Sequence, residues 1–291
     1  MISYAQNYED VLLNRIFKDI NAGFYVDLGA GHPTFESVTK HFYDQGWRGI
    51  NIEPRKNAFQ MLQGERAADL NLNCCISNKA GTALFYEVGV FEDHHDTGGS
   101  SSLNQELAQE MEKAGVEVSV YEIEIMTLQE LLSQYADRGI DFMKIDVEGH
   151  EMEVIQGNDW SKFRPKVLVI EALSPGRHEK YFEKWEQLLL DANYLFALFD
   201  GLNRYYVASE QSHLLEKFGS PVNVLDSYVP WQTWKTIGKQ QALITAQALE
   251  LQRFFASRSW RITAPLRAVM RVARSVKGFA VSYFTKRKIQ V

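Results

Sequence analysis

Cysteine is nearly missing from this 291-residue chain: there are two, Cys74 and Cys75, and they are adjacent. Adjacent cysteines rarely bridge in a folded domain, so a disulfide framework is excluded, and with it the small stapled scaffolds of secreted proteins. Both sit in the apolar run from Leu72 to Ile76, which reads as a pair of buried thiols in a reducing compartment. Long hydrophobic runs are missing too. No window holds eighteen uncharged apolar residues, so no membrane-spanning helix is expected. Asn7, Glu9 and Asp10 interrupt the N-terminus before a signal-peptide pattern can form. The expectation is a cytosolic protein. Acid is scarce at one end: from Gln232 onward twelve Lys or Arg meet a single Glu250, a segment of about +11. The preceding body carries 19 basic and 36 acidic residues, about −17, so the net charge of −6 hides two opposite electrostatic objects.

What is present points to one large core with length left for an appendage. The chain is 45% apolar and holds six Trp, 13 Tyr and 17 Phe, which argues against disorder over most of it. Apolar spacing predicts helices over Asp10–Ile20, Phe35–Gln45, Asn57–Glu65 and Glu179–Asp191. Another is expected over Thr127–Tyr135, where Thr127 and Glu130 have capping-box spacing. Strands are expected over Leu70–Ile76, Ala83–Val88, Val116–Ile125, Ile140–Val147, Val167–Ala172, Tyr194–Phe199 and Arg204–Ala208. His94–Ser102 reads as loop. Strands alternating with helices and closing on an antiparallel hairpin describe a doubly wound, mostly parallel α/β sheet.

Two stretches carry chemistry. Phe24–Gly31 (FYVDLGAG) is a short β-like run ending in an acid and a glycine turn. It is answered by Ile50–Pro54 (INIEP), which places Glu53 26 residues after Asp27. A parallel sheet presents a nucleoside in this way, with a bare backbone loop after one strand and a carboxylate after the next to hold ribose hydroxyls. A dinucleotide loop would need a third glycine where Thr34 stands, after Pro33, so the pyrophosphate fingerprint is not intact. S-adenosylmethionine has no phosphate and needs only backbone clearance at Gly29, Ala30 and Gly31. Asp27 could reach its ammonium group, and His32 would face the same pocket.

The second stretch is Ile145–Glu151 (IDVEGHE). Asp146 falls where a strand should end, the edge at which open α/β sheets bind ligands. Methyl transfer to a hydroxyl needs an aligned acceptor and a base or cation to lower its proton affinity. Asp146, Glu148 or His150 could be that base, and Asp146 with Glu171 could hold a divalent cation. Lys144 reads either as a structural ion pair with Asp146 or Glu171, or as an amine of depressed pKa serving as base. Glu151 and Glu153 read as helix N-terminal acids. His94, His95 and Asp96 could ligate metal, though their loop composition favours solvated or lid residues.

Beyond Trp231 the pattern changes. Ile237, Ile244, Leu251 and Arg258 are seven apart, interleaved with Gln241, Ala248 and Phe255, which permits two or three coiled-coil heptads at most. Pro265 suits the first turn of a further helix. There Leu266, Val269, Ala273, Val276 and Ala280 would share one face and Arg267, Arg271 and Arg274 another. Such a basic amphipathic helix suits a membrane surface or a partner helix. It lacks regularly interleaved aromatics, so no nucleic-acid partner is expected.

The blocks VDLGAGHP, GWRGINIEP, CISN, TLQELL, DFMKIDVEGHE and PKVLVIE, in this order between Ser3 and Ala208, resemble the FkbM family of methyltransferases. The leading SYAQNYEDVLL is similar to that family's first segment, with Gln6, Glu9 and Asp10 at its polar positions. The resemblance implies a class I methyltransferase Rossmann-like fold, S-adenosylmethionine as cofactor and O-methylation as activity. It puts Asp27, Gly29 and Gly31 around the methionine end, Glu53 on the ribose, Ser77 near the adenine and Asp146 at the methyl-acceptor junction. The His32-Pro33 turn departs from the family's smaller or glycine-containing one. The tail from Ser257 is similar to tails on bacterial enzymes of surface-polysaccharide assembly. That implies a saccharide or lipid-linked glycan acceptor and peripheral contact of residues 257–291 with the inner membrane face. The expected organisation is a methyltransferase domain over 1–210, a connecting helical segment over 211–256 and the basic helix over 257–291. Two alternatives stand beside this reading: a nicotinamide-dependent oxidoreductase, and a non-catalytic membrane-associated assembly protein of glycan biosynthesis.

Overall fold

The computed structural model describes residues 1–89, 91–92, 95–96, 101–173 and 180–273, and the chain divides into two units, Met1–Trp231 and Gln232–Val291. Ten strands of the first unit build its two main sheets. They are β1 (Phe24–Leu28), β2 (Arg48–Ile52), β3 (Leu70–Leu72), β4 (Cys75–Ser77), β5 (Gly81–Val88), β6 (Val118–Thr127), β7 (Phe142–Ile145), β8 (Val167–Glu171), β9 (Tyr194–Phe199) and β10 (Asn203–Ala208). Seven form the central sheet in the order β9-β10-β8-β7-β1-β2-β3. Pairs from β8 through β3 are parallel, while β10 lies antiparallel to both neighbours. The direction of winding reverses between β1 and β7, which opens a crevice beyond their C-terminal ends.

The central strands are buried on both faces, so they read as continuous apolar runs; all five residues of β1 are buried. One face packs Val26, Leu28, Ile50, Met143 and Ile145 against the helices Leu128–Tyr135 and Glu151–Gln156. The other packs Tyr25, Phe142 and Val169 against Leu12 and Phe17 of the helix Glu9–Phe17, with Phe42 and Trp47. Two charged residues interrupt this second face, and they are cross-strand partners: Lys144 of β7 lies beside Asp27 of β1. The capping box at Thr127 forms with both of its hydrogen bonds. Cys74 and Cys75 are free, buried thiols.

Three expected elements differ. The helix over 35–45 shrinks to Lys40–Asp44, because Glu36 takes a left-handed φ of 56° and bridges to Ala5. The strand over 70–76 splits. Asn73 turns its side-chain amide onto the carbonyls of Glu53 and Pro54, at 2.8 and 2.7 Å. This leaves β3 in the central sheet and sends β4 into a second sheet of order β4-β6-β5. The helix over 179–191 becomes a 3-10 turn, Phe182–Lys184, and a short helix, Glu186–Asp191; residues 174–179 lie outside the described residues.

The body also continues past residue 210, into the stretch read as a connecting segment. Leu214 and Phe218 of the 3-10 run Ser209–Phe218 are buried in the core, and Val229–Pro230 pairs with Ile2–Ser3. In the second unit, the 26-residue helix Trp231–Ala256 buries no residue. Ser257 caps a short helix, Arg258–Ile262, and helix resumes over 264–273 with Pro265 in its first turn. Leu266 and Val269 are exposed there. Arg274, Val276 and Ala280 of the amphipathic reading lie outside the described residues. Among the described residues, no helix is long and apolar enough to cross a membrane.

Candidate active site at the switch point

A cavity of about 410 Å³ opens at the C-terminal ends of β1, β2, β7 and β8. Its floor is the turn after β1, where Gly29 and Gly31 have φ of 76° and 63°. A Cβ on Gly29 would lie 1.9 Å from the Asp146 carbonyl oxygen, so only glycine lets the β1 and β7 loops meet. The Gly29 and Ala30 amides both donate to the Ile52 carbonyl at 3.0 Å. Glu53 clamps the turn from β2: its carboxylate accepts from the Gly31 amide at 2.7 Å and from the Arg55 amide and Nε at 2.8 and 3.0 Å. His32 is buried on the cavity wall, and its Nδ1 accepts the Thr34 and Phe35 amides at 2.9 Å. That arrangement puts the proton of the neutral ring on Nε2. Gln6 also faces the cavity, while Glu9 and Asp10 hold the leading segment in place. Asn203 donates to Glu9 and Ser3 to Asp10, each at 2.7 Å.

The fold fixes the places of three expected site residues. Asp27 does not line the cavity. It is buried behind the wall, where Thr39 Oγ1 donates to it at 2.8 Å and Lys144 Nζ stands 3.7 Å away. Of the two readings of Lys144, the ion pair with Asp146 is the one found, and not the amine of depressed pKa. Burial alone would lower its pKa, but Asp146 at 3.0 Å and Asp27 more than reverse that and hold it charged above its ordinary value. Its Nζ also donates to the Gly29 carbonyl at 3.0 Å. Ser77 is the third: it stands behind His150, with Oγ 3.0 Å from Nε2, while Cys74, Cys75, Ile76 and Phe85 form the wall on that side.

The stretch after β7 does converge. One carboxylate oxygen from each of Asp146, Glu148 and Glu171 lies within 4.8 Å of the others. Burial first, then Asp146 and Glu148, push Glu171 up to about 11. Burial, with Asp146 and Glu151 beside it, also raises Glu148 well above the ordinary value. Close carboxylates in a poorly solvated site keep protons rather than charge, and Lys144 balances Asp146. The pair proposed for a divalent cation is thus brought together but is compensated by an ammonium and by protons. His150 faces the cavity, and burial lowers its pKa, so its imidazole is neutral near pH 7 and able to accept a proton. His94 lies outside the described residues, and only the backbone of His95 and Asp96 is described, in a short bridge to Phe91–Glu92.

The polar layer behind the site escaped the sequence reading. Arg66 and Asp69 are fully buried as side chains and paired at 3.1 Å. Arg66 also donates to Tyr25 and Thr39, at 2.6 and 3.1 Å. The available signal was Arg and Asp three residues apart just after a helix, which is too common to mark a buried pair.

Burial also sets a pH dependence. It raises Glu9 and Glu151 to about 7 and Asp10 to about 6. Folded values above unfolded ones give stability that is fully present below the unfolded carboxylate range and lost as pH climbs through 6 to 7. His150 and His41, both lowered by burial, act in the opposite sense below pH 6.5. The melting temperature is expected to fall by roughly 5 °C or more between pH 5.5 and 8. Glu9→Gln combined with Glu151→Gln should flatten that slope in a scanning-calorimetry series.

A doubly wound α/β domain with a glycine turn, a β2-end carboxylate and an acidic cluster at its switch point has the layout with which open sheets bind nucleoside ligands. The family domain described as the methyltransferase FkbM domain matches residues 27–196, more than half of the chain, and the chain belongs to that family. Among solved structures it is similar to a methyltransferase FkbM from Methylobacillus flagellatus KT, at 16% identity and a TM-score of 0.41. That match covers 64% of this chain and 44% of the other, so the chain spans less than half of that protein's length. A TehB-like SAM-dependent methyltransferase from Corynebacterium glutamicum matches at 7% identity and TM-score 0.37, covering 68% and 87% of the two chains. A fibrillarin pre-rRNA processing protein from Methanococcus jannaschii matches at 12% and 0.35, covering 65% and 67%. No curated protein sequence matches the chain.

Proposed function

We propose that this chain is an S-adenosylmethionine-dependent O-methyltransferase that methylates a hydroxyl of a sugar or surface-polysaccharide intermediate at the cytoplasmic membrane face. The observation that carries the donor assignment is the charge of the cavity. Glu36, Glu53 and Asp146 face it against Lys144 and Arg55, while Glu148 and Glu171, which keep their protons, add acid oxygens and no cation. An acidic, glycine-floored pocket suits a cationic sulfonium and disfavours the pyrophosphate of a nicotinamide dinucleotide. The volume is within the range of small-ligand sites. The Gly29–Gly31 turn and Glu53 would hold the amino-acid and ribose ends, and Cys74, Ile76 and Phe85 offer an apolar wall to the base. When bound, the donor supplies an activated methyl carbon: a carbon–oxygen bond forms to the acceptor as the carbon–sulfur bond breaks. In this reading His150, the neutral imidazole on the wall, would take the acceptor proton, with Lys144 paired to Asp146 at 3.0 Å beside it.

Calorimetry with each cofactor tests the donor: S-adenosylmethionine should bind and NADH should not, and the reverse pattern ends this reading. Incubating a glycan pool with methyl-labelled donor and reading masses tests the acceptor. His150→Ala should lower labelling by about 10²-fold or more with donor binding retained. The sugar and membrane assignments draw on the likeness of the basic tail to polysaccharide-assembly enzymes. The full chain should float with anionic vesicles in low salt, and a chain ending at Ala256 should not. Equal flotation of both would remove residues 257–291 from the assignment.

A further inference from the structure

The helix Trp231–Ala256 is about 39 Å long at 1.5 Å per residue, and although Leu243, Leu249 and Phe254 are exposed elsewhere on it, seven positions form one stripe. Trp234, Ile237, Gln241, Ile244, Ala248, Leu251 and Phe255 follow one another at alternating spacings of three and four. That is the a/d seam of three heptads, with Trp234, Gln241, Ala248 and Phe255 at a and the two Ile and Leu251 at d. The five large apolar members are between 51% and 58% exposed. Covering their exposed parts on each of two helices removes on the order of 1,000 Å² from water, the size at which specific interfaces begin.

Charge says what covers the seam. The helix has four charged residues, Lys235, Lys239, Glu250 and Arg253, and every one falls on the outer b, c or f positions. The flanking e and g positions hold only Gly, Thr, Gln and Phe. Nothing on the contact face therefore repels an identical face, and no ion pairing selects a different partner. Gln241, in the middle of the seam, narrows the choice. A lipid surface would strip water from its amide and return no hydrogen bond. A parallel, in-register copy would bring a second Gln241 amide opposite, where a single polar a residue fixes register.

We propose that Trp231–Ala256 pairs in parallel and in register with the same helix of a second copy of this chain. The pairing is independent of the methyl-transfer reading.

Sedimentation equilibrium of the full chain at micromolar concentration should give a dimer, twice the 33.4 kDa chain mass. Ile244→Asp should weaken the dimer at least tenfold. Leu243→Asp, equally exposed at 59% but on the outer c position, should leave it intact. An unchanged melting temperature of each variant's first unit separates lost pairing from lost folding. Gln241→Cys should form an oxidised covalent dimer only if the helices are parallel and in register. A monomeric wild type, equal disruption by Leu243→Asp and Ile244→Asp, or failure of the Gln241→Cys variant to cross-link overturns the proposal. So does a monomer that binds phosphatidylglycerol vesicles through Ile244.

Discussion

Gly29→Ala is expected to abolish donor binding and to destabilise the first unit by about 2–5 kcal/mol, from a left-handed backbone cost plus overpacking. The added methyl would sit 1.9 Å from the Asp146 carbonyl oxygen and 3.0 Å from its carbon. Neither is the far end of a flexible side chain: the Asp146 amide donates to the Leu28 carbonyl at 3.1 Å, which ties the two loops together. Relief therefore requires β1 and β7 to part just where the cavity floor is built. Gly31→Ala is the internal comparison. Its φ of 63° is also left-handed, but the nearest atom to the new methyl is Arg55 Nη2 at 3.6 Å. It should cost about 1–2 kcal/mol and leave binding measurable. Urea denaturation with donor calorimetry on both variants checks this, and wild-type stability for Gly29→Ala would mean that the loops do not meet as described.

Arg66→Met carries the other large effect, a loss of about 3–5 kcal/mol, because breaking a buried pair leaves an uncompensated charge. Asp69 would keep Tyr25, Asn51 and the Gly49 amide as donors but would lose its only cationic partner among the described residues. Thr39, which passes a hydrogen bond to Asp27, would lose the Arg66 donor. The loss runs toward the site, since Asp27 faces Lys144 and Lys144 holds Asp146. Adding Asp69→Leu to Arg66→Met should recover part of the stability, because removing both charges is less costly than stranding one. If the double variant is less stable than Arg66→Met, the pair is not the source of the effect. Chevron or equilibrium denaturation of the three variants gives the answer.

Much of the domain was legible from local pattern. The glycine turn after FYVDL, the acid after INI and the clustered IDVEGHE run each announce a strand end, because strand, turn and helix chemistry are local. Their convergence at one crevice follows from parallel topology. The leading helix, the capping box at Thr127 and the closing hairpin were equally readable. The 70–76 run was not: Cys74 and Cys75 continue an apolar stretch, and only the Asn73 amide turning onto two carbonyls divides it between two sheets. The helix over 35–45 failed because its first half is held by a long-range bridge of Glu36 to Ala5 and by the Phe35 amide's bond to His32, neither of which a helical wheel displays.

The chain's own residues, read in order, determined the sheet type, the place of the crevice, the two-part charge and the heptad spacing of the second helical unit, since each depends on neighbours a few positions away. Which side of the wall each charged group occupies was decided only by the folded arrangement. Lys144 and Asp27 lie 117 positions apart, yet sheet register makes them adjacent. Their mutual field at the cavity wall decides between the two readings of Lys144 in favour of a fixed cation and sets Asp27 behind it instead of against the cofactor.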